Sequence, residues 1–326
     1  MEGNAVGEEV PVPVPAAAAI VKSIFIYPIK SCRGISVSQA PISPTGFVWD
    51  RQWLVVNSKG RGVTQRVEPK LALVEVELPD EAFLIEEWKP SKNSYLVLKA
   101  PGMKEELKVP LMSSTLSVCD GISCWEWSGS ALDEGDEASN WLSTFLGKPN
   151  YRLVRFNNAD QTRPVDPDYG SGHKVMFSDQ YPFLLISQGS LNALNSFLKD
   201  PLPINRFRPN IFVDGCEAFA EDLWKEVRIN NTLSFAGVKL CSRCKVPTID
   251  QETAIAGTEP TLTLQTFRSG TVLRPAHERN KGLVYFGQNL VCNNSFSSNG
   301  DHKMILKVGD PVSVIQALAS TNDAPA

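Results

Sequence analysis

Val238-Lys-Leu-Cys-Ser-Arg-Cys-Lys-Val-Pro-Thr-Ile-Asp250 sets a Cys-x-x-Cys pair among β-type residues. Pro247 and the β-branched residues behind Cys244 argue against a helix starting at the pair. A thioredoxin-like redox pair needs that helix. Half a zinc site needs two further ligands, but Cys119 and Cys124 lie far upstream and His173, His277 and His302 are scattered. A third reading is a single reactive thiolate. Arg243 and Lys245 flank Cys244, and adjacent cations favour the thiolate, which is the nucleophile and the soft-metal ligand. The fourth is two inert thiols buried on a strand. The segment alone leaves these readings open.

Outward from it the chain is rich in short apolar runs punctuated by Gly, Pro, Asn and Ser, the pattern of antiparallel strands. Upstream these are Ser23 to Lys30, Gln52 to Asn57, Leu73 to Leu78 and Tyr95 to Leu98, with a hairpin loop at Lys59-Gly-Arg-Gly62. Downstream they are Ile211 to Val213, Leu233 to Leu240, Leu283 to Phe286 and Met304 to Val308. A closing strand over 307–314 turns at Gly309-Asp310. Two segments predict helices: one capped by Ser139 and stopped by Gly147, the other capped by Ser190 with Leu191, Leu194, Phe197 and Leu198 on one stripe. Asn157 to Gly172 reads as a loop between larger elements. The fold class is α+β and β-rich, with a few packing helices.

Composition limits the function. The 326 residues are 42% hydrophobic, enough for a full core, and the net charge of −4 removes a whole-chain basic footprint for nucleic acid. No apolar run approaches the ~20 residues of a spanning helix. Seven cysteines do not form a disulfide framework in a chain this long. Cys119, Cys124 and Cys292 read as small buried hydrophobes. The first twenty residues are Pro/Ala-rich and acidic and contain no Arg, which predicts a mobile tail and no transit peptide.

Three more segments carry cations. In Asn205-Arg-Phe-Arg-Pro-Asn210, an extended backbone would put Arg206 and Arg208 on one side, and Pro209 favours extension at Arg208. Two guanidiniums beside Asn210 would make a bidentate anion receptor, although surface ion pairs are the ordinary alternative. Tyr27-Pro-Ile-Lys-Ser-Cys-Arg-Gly34 ends a strand with Lys30 and Ser31, either phosphate contacts or a polar turn. Arg51, beside Asp50 and between Trp49 and Trp53, is either an ion-pair member or an anion contact. Several cations and one soft ligand in an acidic chain suit a phosphate-bearing cofactor with a soft metal. The P-loop and dinucleotide fingerprints are absent.

These segments, with Ser178-Asp-Gln-Tyr-Pro-Phe183, Ala220-Glu-Asp-Leu-Trp224, Phe286-Gly-Gln288 and Val308-Gly-Asp-Pro-Val312, resemble in order the MOSC superfamily. That superfamily is named for the C-terminal domain of molybdenum cofactor sulfurase, and the pattern is most like its eukaryotic amidoxime-reducing members. The resemblance implies a tail over 1–20, a MOSC N-terminal β-barrel module over 21–150, a MOSC β-barrel domain over 151–318 and a tail over 319–326. It implies a molybdopterin cofactor with molybdenum ligated by Cys244, the second Cys of the motif. Lys30, Ser31, Arg51, Arg208, Asn210, Ser242 and Arg243 match the family's cofactor contacts. Gln180 and Tyr181 stand where animal members have Thr-Ser, and backbone groups could serve there.

The resemblance further implies reduction of N-hydroxylated substrates: amidoximes, hydroxylamines, hydroxamic acids or nitrite. Asp179 is a candidate proton donor, against the alternative of a loop-capping Asp. This chain has no flavin or haem motif, so electrons come from outside, by resemblance from cytochrome b5 and its NADH-dependent reductase. The competing function is a non-catalytic cofactor carrier or sulfur-transfer protein. The two modules take up the chain, which leaves no room for the sulfurase's pyridoxal-phosphate domain. The animal members' membrane anchor is not found, so a soluble, intracellular protein is expected, with the cytosol favoured and the mitochondrion as the alternative.

Overall fold

The structure is a computed structural model that describes residues 18–112, 116–296 and 304–326. Most of the tail predicted over 1–20 lies outside the described residues. Seven strands close a barrel in the order Ile211–Asp214, Phe183–Ser187, Tyr285–Cys292, Leu233–Ser242, Trp224–Ile229, Pro311–Ala317 and Ala19–Ile26, with the last pairing back to the first. Their period-2 apolar positions point inward: Val21, Ile24, Ile26, Leu185, Val213, Val227, Phe235, Leu290 and Val312 share one core. Phe183 contacts Phe47 and Phe235 edge-on, with ring centroids 5.0 and 5.4 Å away.

The N-terminal half contributes smaller sheets. Trp53–Val56, Arg152–Phe156, Trp127–Asp133 and Ser117–Cys124 form one, and Glu75–Glu77, Tyr95–Lys99 and Leu107–Pro110 another. Ile305–Lys307, from the far end of the chain, pairs with Gln39–Ser43. The strands therefore cross the division expected near residue 150. Ala19–Ile26 is a stave of the C-terminal barrel, and Arg152–Phe156 completes an N-terminal sheet. Such pairings join residues far apart in sequence, which local patterning does not encode. Ala19 also begins a strand inside the predicted tail. At the other end, Ala324 is fully buried beside Leu240 and Tyr285, and the Leu240 N–H donates to Pro325 O at 2.8 Å. The predicted terminal tail over 319–326 thus packs against the barrel.

The predicted strands are present with shifted ends. The first helix runs Asp136–Leu146 from Gly135 and stops at Gly147, whose φ is 68°. Ser139 lies inside it and donates to Tyr151 O at 2.7 Å, so it is not the cap. In the second, Gln188–Asn195, the cap is Ser187, whose hydroxyl accepts from the Ser190 N–H. Phe197 lies beyond that helix and is exposed. The predicted loop 157–172 contains the short strand Arg163–Pro164 and a helical turn at Pro167–Gly170. No helix among the described residues is long and apolar enough to cross a membrane.

Gly237 marks a close approach inside the barrel. A Cβ there would sit 2.0 Å from Trp224 O, on the backbone of the adjacent strand. Gly237→Ala is expected to destabilise by about 1–3 kcal/mol, read as a fall in melting temperature. Gly282→Ala, where a Cβ meets nothing within 4 Å, should shift stability by less than about 0.5 kcal/mol. Equal melting temperatures for the two variants would contradict this packing.

Candidate functional site

A cavity of about 520 Å³ opens where barrel strands end and the N-terminal sheets meet them. The four segments that carry the cations and the Cys-x-x-Cys pair, and the 178–183 segment, send residues into its wall, while 220–224, 286–288 and 308–312 do not reach it. Lys30 and Ser31 follow Ala19–Ile26, Arg51 precedes Trp53–Val56, Asp179, Gln180 and Tyr181 precede Phe183–Ser187, and Arg208 and Asn210 precede Ile211–Asp214. Ser242, Arg243 and Cys244 end Leu233–Ser242. Four wall residues other than glycine have left-handed backbones: Ser31 (φ 70°), Arg51 (48°), Trp125 (57°) and Arg208 (57°). Each costs roughly 1–3 kcal/mol and persists only where its surroundings enforce it.

Arg208 is therefore not extended, contrary to the expectation drawn from Pro209, and the side chains of Arg206 and Arg208 part. Arg206 is buried; its Nε donates to Pro247 O at 2.8 Å and its guanidinium meets Asp250 at 3.4 Å. Arg208 instead stacks over Tyr27, its guanidinium 4.3 Å from the ring centroid, and Arg51 lies 4.2 Å from the same centroid. Arg51 is neutralised by Asp50 at 2.5 Å. Arg208 forms no direct ion pair among the described residues, and burial holds its pKa below the usual guanidinium value. Burial likewise pushes the Tyr27 phenol up to about 12, against the pull of both arginines. The sequence reading missed Tyr27 as a site residue; its place ahead of Pro28 in a strand end gave no signal.

The thiols differ. Cys244 borders the cavity just past the strand, half-buried, and its sulfur accepts the Val246 N–H at 3.5 Å. The Arg243 guanidinium turns the other way, donating to Cys241 Sγ at 3.0 Å and Phe207 O at 2.8 Å. Lys245 is exposed. Of the two flanking cations, Arg243 thus acts on the cavity and on Cys241, Lys245 faces solvent, and neither touches the Cys244 sulfur directly. Burial raises the Cys241 pKa, opposed by Arg243. No group of three or more His, Cys, Asp or Glu that could hold a metal occurs among the described residues, so the zinc reading lacks its protein ligands.

Lys30, almost wholly buried, donates to Phe177 O at 2.8 Å and pairs with Asp179 at 2.5 Å. Asp179 also accepts from Trp125 Nε1 at 3.0 Å. The surrounding wall would raise its pKa, but the side chain keeps 71% of its surface open, and Lys30 and the Trp125 N–H hold the carboxyl well below the usual range. Asp179 is thus an ionised acceptor at neutral pH, and the proton-donor role weighed from the sequence needs the acid form that this pair disfavours. Asn210 is committed to the wall: its amide donates to Phe25 O and accepts from the Leu184 N–H. Tyr181 packs among Val165, Val175, Val238 and Val291, while Gln180 is exposed. Arg163, unmarked in the sequence, braces the 176–179 backbone through Met176, Ser178 and Asp179 carbonyls.

The wall has donors left over. Arg243 Nε and Ser178 Oγ are buried without a hydrogen-bond partner among the described residues. Buried polar groups without partners are rare in native folds. With Arg208, they fit an anionic, oxygen-rich molecule, and Cys244 stands beside it as a soft ligand.

Residues 18–149 match the family model of the MOSC N-terminal beta barrel domain, and residues 172–313 that of the MOSC domain. Among curated proteins the chain is similar to mitochondrial amidoxime reducing component 2 of Bos taurus, 35% identical over 256 residues, which span 76% of this chain and 72% of that protein. It is 34% identical to mitochondrial amidoxime-reducing component 1 of Mus musculus and 32% identical to that of Homo sapiens. Those two matches cover 90% of this chain and 81% and 82% of the relatives.

The Asp179 ion pair predicts a pH signature. A carboxyl with a depressed folded pKa adds stability above its unfolded value, near 4, and loses it as pH falls through the folded pKa. Wild type should therefore melt above Asp179→Asn at pH 7, and the gap should close below about pH 4. A gap that widens on acidification would contradict the ionised pair.

Proposed function

We propose that this chain, which belongs to the MOSC family and carries that family's N-terminal β-barrel domain ahead of the MOSC domain, is a molybdenum-cofactor enzyme reducing N-hydroxylated compounds. One observation carries the reading. A single cavity wall brings together Cys244, Arg208, which has no ion pair among the described residues, and the Arg243 and Ser178 donors that have no partner among them. When bound, the molybdenum cofactor supplies the oxygen-atom acceptance and the two electrons that cleavage of an N–O bond requires.

The chain's own residues do the rest. Cys244 holds the metal through its thiolate. Arg208, Arg51, Lys30 and Arg243 hold the cofactor's phosphate and oxygens, in the bidentate manner open to guanidiniums. Ser31 and Ser242 add hydroxyls, Asn210 fixes the wall between two strands, and Gln180 and Tyr181 contribute main-chain groups. Asp179 positions Lys30. Electrons arrive from outside, from cytochrome b5 and its NADH-dependent reductase. The relatives' names place them in mitochondria, and this chain works there or in the cytosol.

Protein loaded with molybdenum cofactor and given benzamidoxime with a chemical reductant should form benzamidine. Cys244→Ala should lose turnover while keeping its melting temperature, and Cys241→Ala should lose much less. Bound cofactor without amidine would replace the reductase by a carrier, which shares the same binding residues. Full activity in Cys244→Ala would overturn the choice of ligand. Arg208→Ala should weaken cofactor retention, because a hydrogen bond to a charged group is worth about 1.5–3 kcal/mol, roughly tenfold to a hundredfold in affinity. Unchanged molybdenum content in the purified variant would contradict that role.

A further inference from the structure

One part of the cavity wall takes no share in holding the cofactor as assigned above. The strands Ser117–Cys124 and Trp127–Asp133 are joined by the two-residue turn Trp125-Glu126, which enters the wall. Trp125 is 40% exposed there, a large apolar ring left open at the mouth of a polar cavity. Its orientation is fixed three ways. The backbone is left-handed at φ 57°, the indole N–H donates to Asp179 at 3.0 Å, and the Arg66 guanidinium lies 4.3 Å from the ring centroid. Lys30 Nζ stands 5.7 Å from the same ring. Arg66 also lines the cavity and forms no ion pair among the described residues.

A rigid aromatic with a guanidinium over one face is a platform for flat π-systems, which stack on the uncovered face of either group with little conformational entropy lost. We propose that Trp125, with Arg66 beside it, is the specificity-determining lip of this site, selecting N-hydroxylated substrates in which the N–O function is conjugated to an aromatic ring. The inference rests on the reductase reading above. The lip belongs to the N-terminal sheets, while the thiol belongs to the barrel, so substrate choice and metal binding lie on separate elements. Asp179 links them by holding Trp125 with one hydrogen bond and Lys30 with an ion pair.

The test compares benzamidoxime with acetamidoxime, which has the same reacting group without the ring. In cofactor-loaded protein, Trp125→Leu should lower the benzamidoxime-to-acetamidoxime ratio of kcat/KM by about tenfold, with molybdenum content equal to wild type. Trp125→Phe, which keeps a ring and loses the Asp179 bond, should retain most of the preference. Calorimetric titration of benzamidoxime into the same proteins gives a readout free of turnover, and Trp125→Leu should bind about tenfold more weakly than wild type. An unchanged ratio together with unchanged binding would overturn the proposal. So would loss of molybdenum in Trp125→Leu, because it would place the ring in cofactor binding. If the wild type binds benzamidoxime but reduces neither compound, the reductase reading fails and the titration still decides the lip.

Discussion

Unneutralised positive charge in a half-buried wall is the constraint on which the site depends. Arg208 is desolvated, stacked over Tyr27 and without a carboxylate partner among the described residues, while Arg51 over the same ring is neutralised by Asp50. A fold that only needed stability would pair both arginines or leave them in water, since an isolated buried charge is expensive. The left-handed backbones at Arg51 and Arg208 add further cost. These costs are spent at one end of the barrel, beside Cys244. They are offset once an anion occupies the cavity.

The interlocking of the sheets makes that wall rigid. The first strand, Ala19–Ile26, is pinned in the barrel by Ile211–Asp214 and delivers Lys30 from its end. The Ile211–Asp214 strand follows Arg208 and Asn210, so both sets of cations hang from paired neighbours. Asn210 ties the two through Phe25 O, and Gln65, fully buried, donates to Ser31 O from the N-terminal half. A wall assembled from both ends of the sequence holds its charges against mutual repulsion without relying on any single loop.

The strands were legible because β-branched runs with turn punctuation are local signals, and the Cys-Ser-Arg-Cys, Lys30-Ser31 and Arg208-Pro209-Asn210 segments were legible as chemistry. Their convergence on one cavity was not, because it depends on pairings such as Ile24 with Ile211 that join residues far apart in the chain. The hairpin bearing Trp125 carries no local signal, because its strands are polar and only partly buried. An extended backbone would group Arg206 with Arg208, and the left-handed turn at Arg208 separates them. Side-chain direction misled at Arg243 as well: sequence adjacency pointed to Cys244, while the guanidinium reaches Cys241.

X-ray absorption at the molybdenum edge of the cofactor-loaded protein tests the central claim most directly, because it counts the sulfurs bound to the metal. The account predicts that wild type shows one more metal–sulfur contact than Cys244→Ser, and that Cys241→Ser matches wild type. Identical sulfur shells in wild type and Cys244→Ser would contradict it.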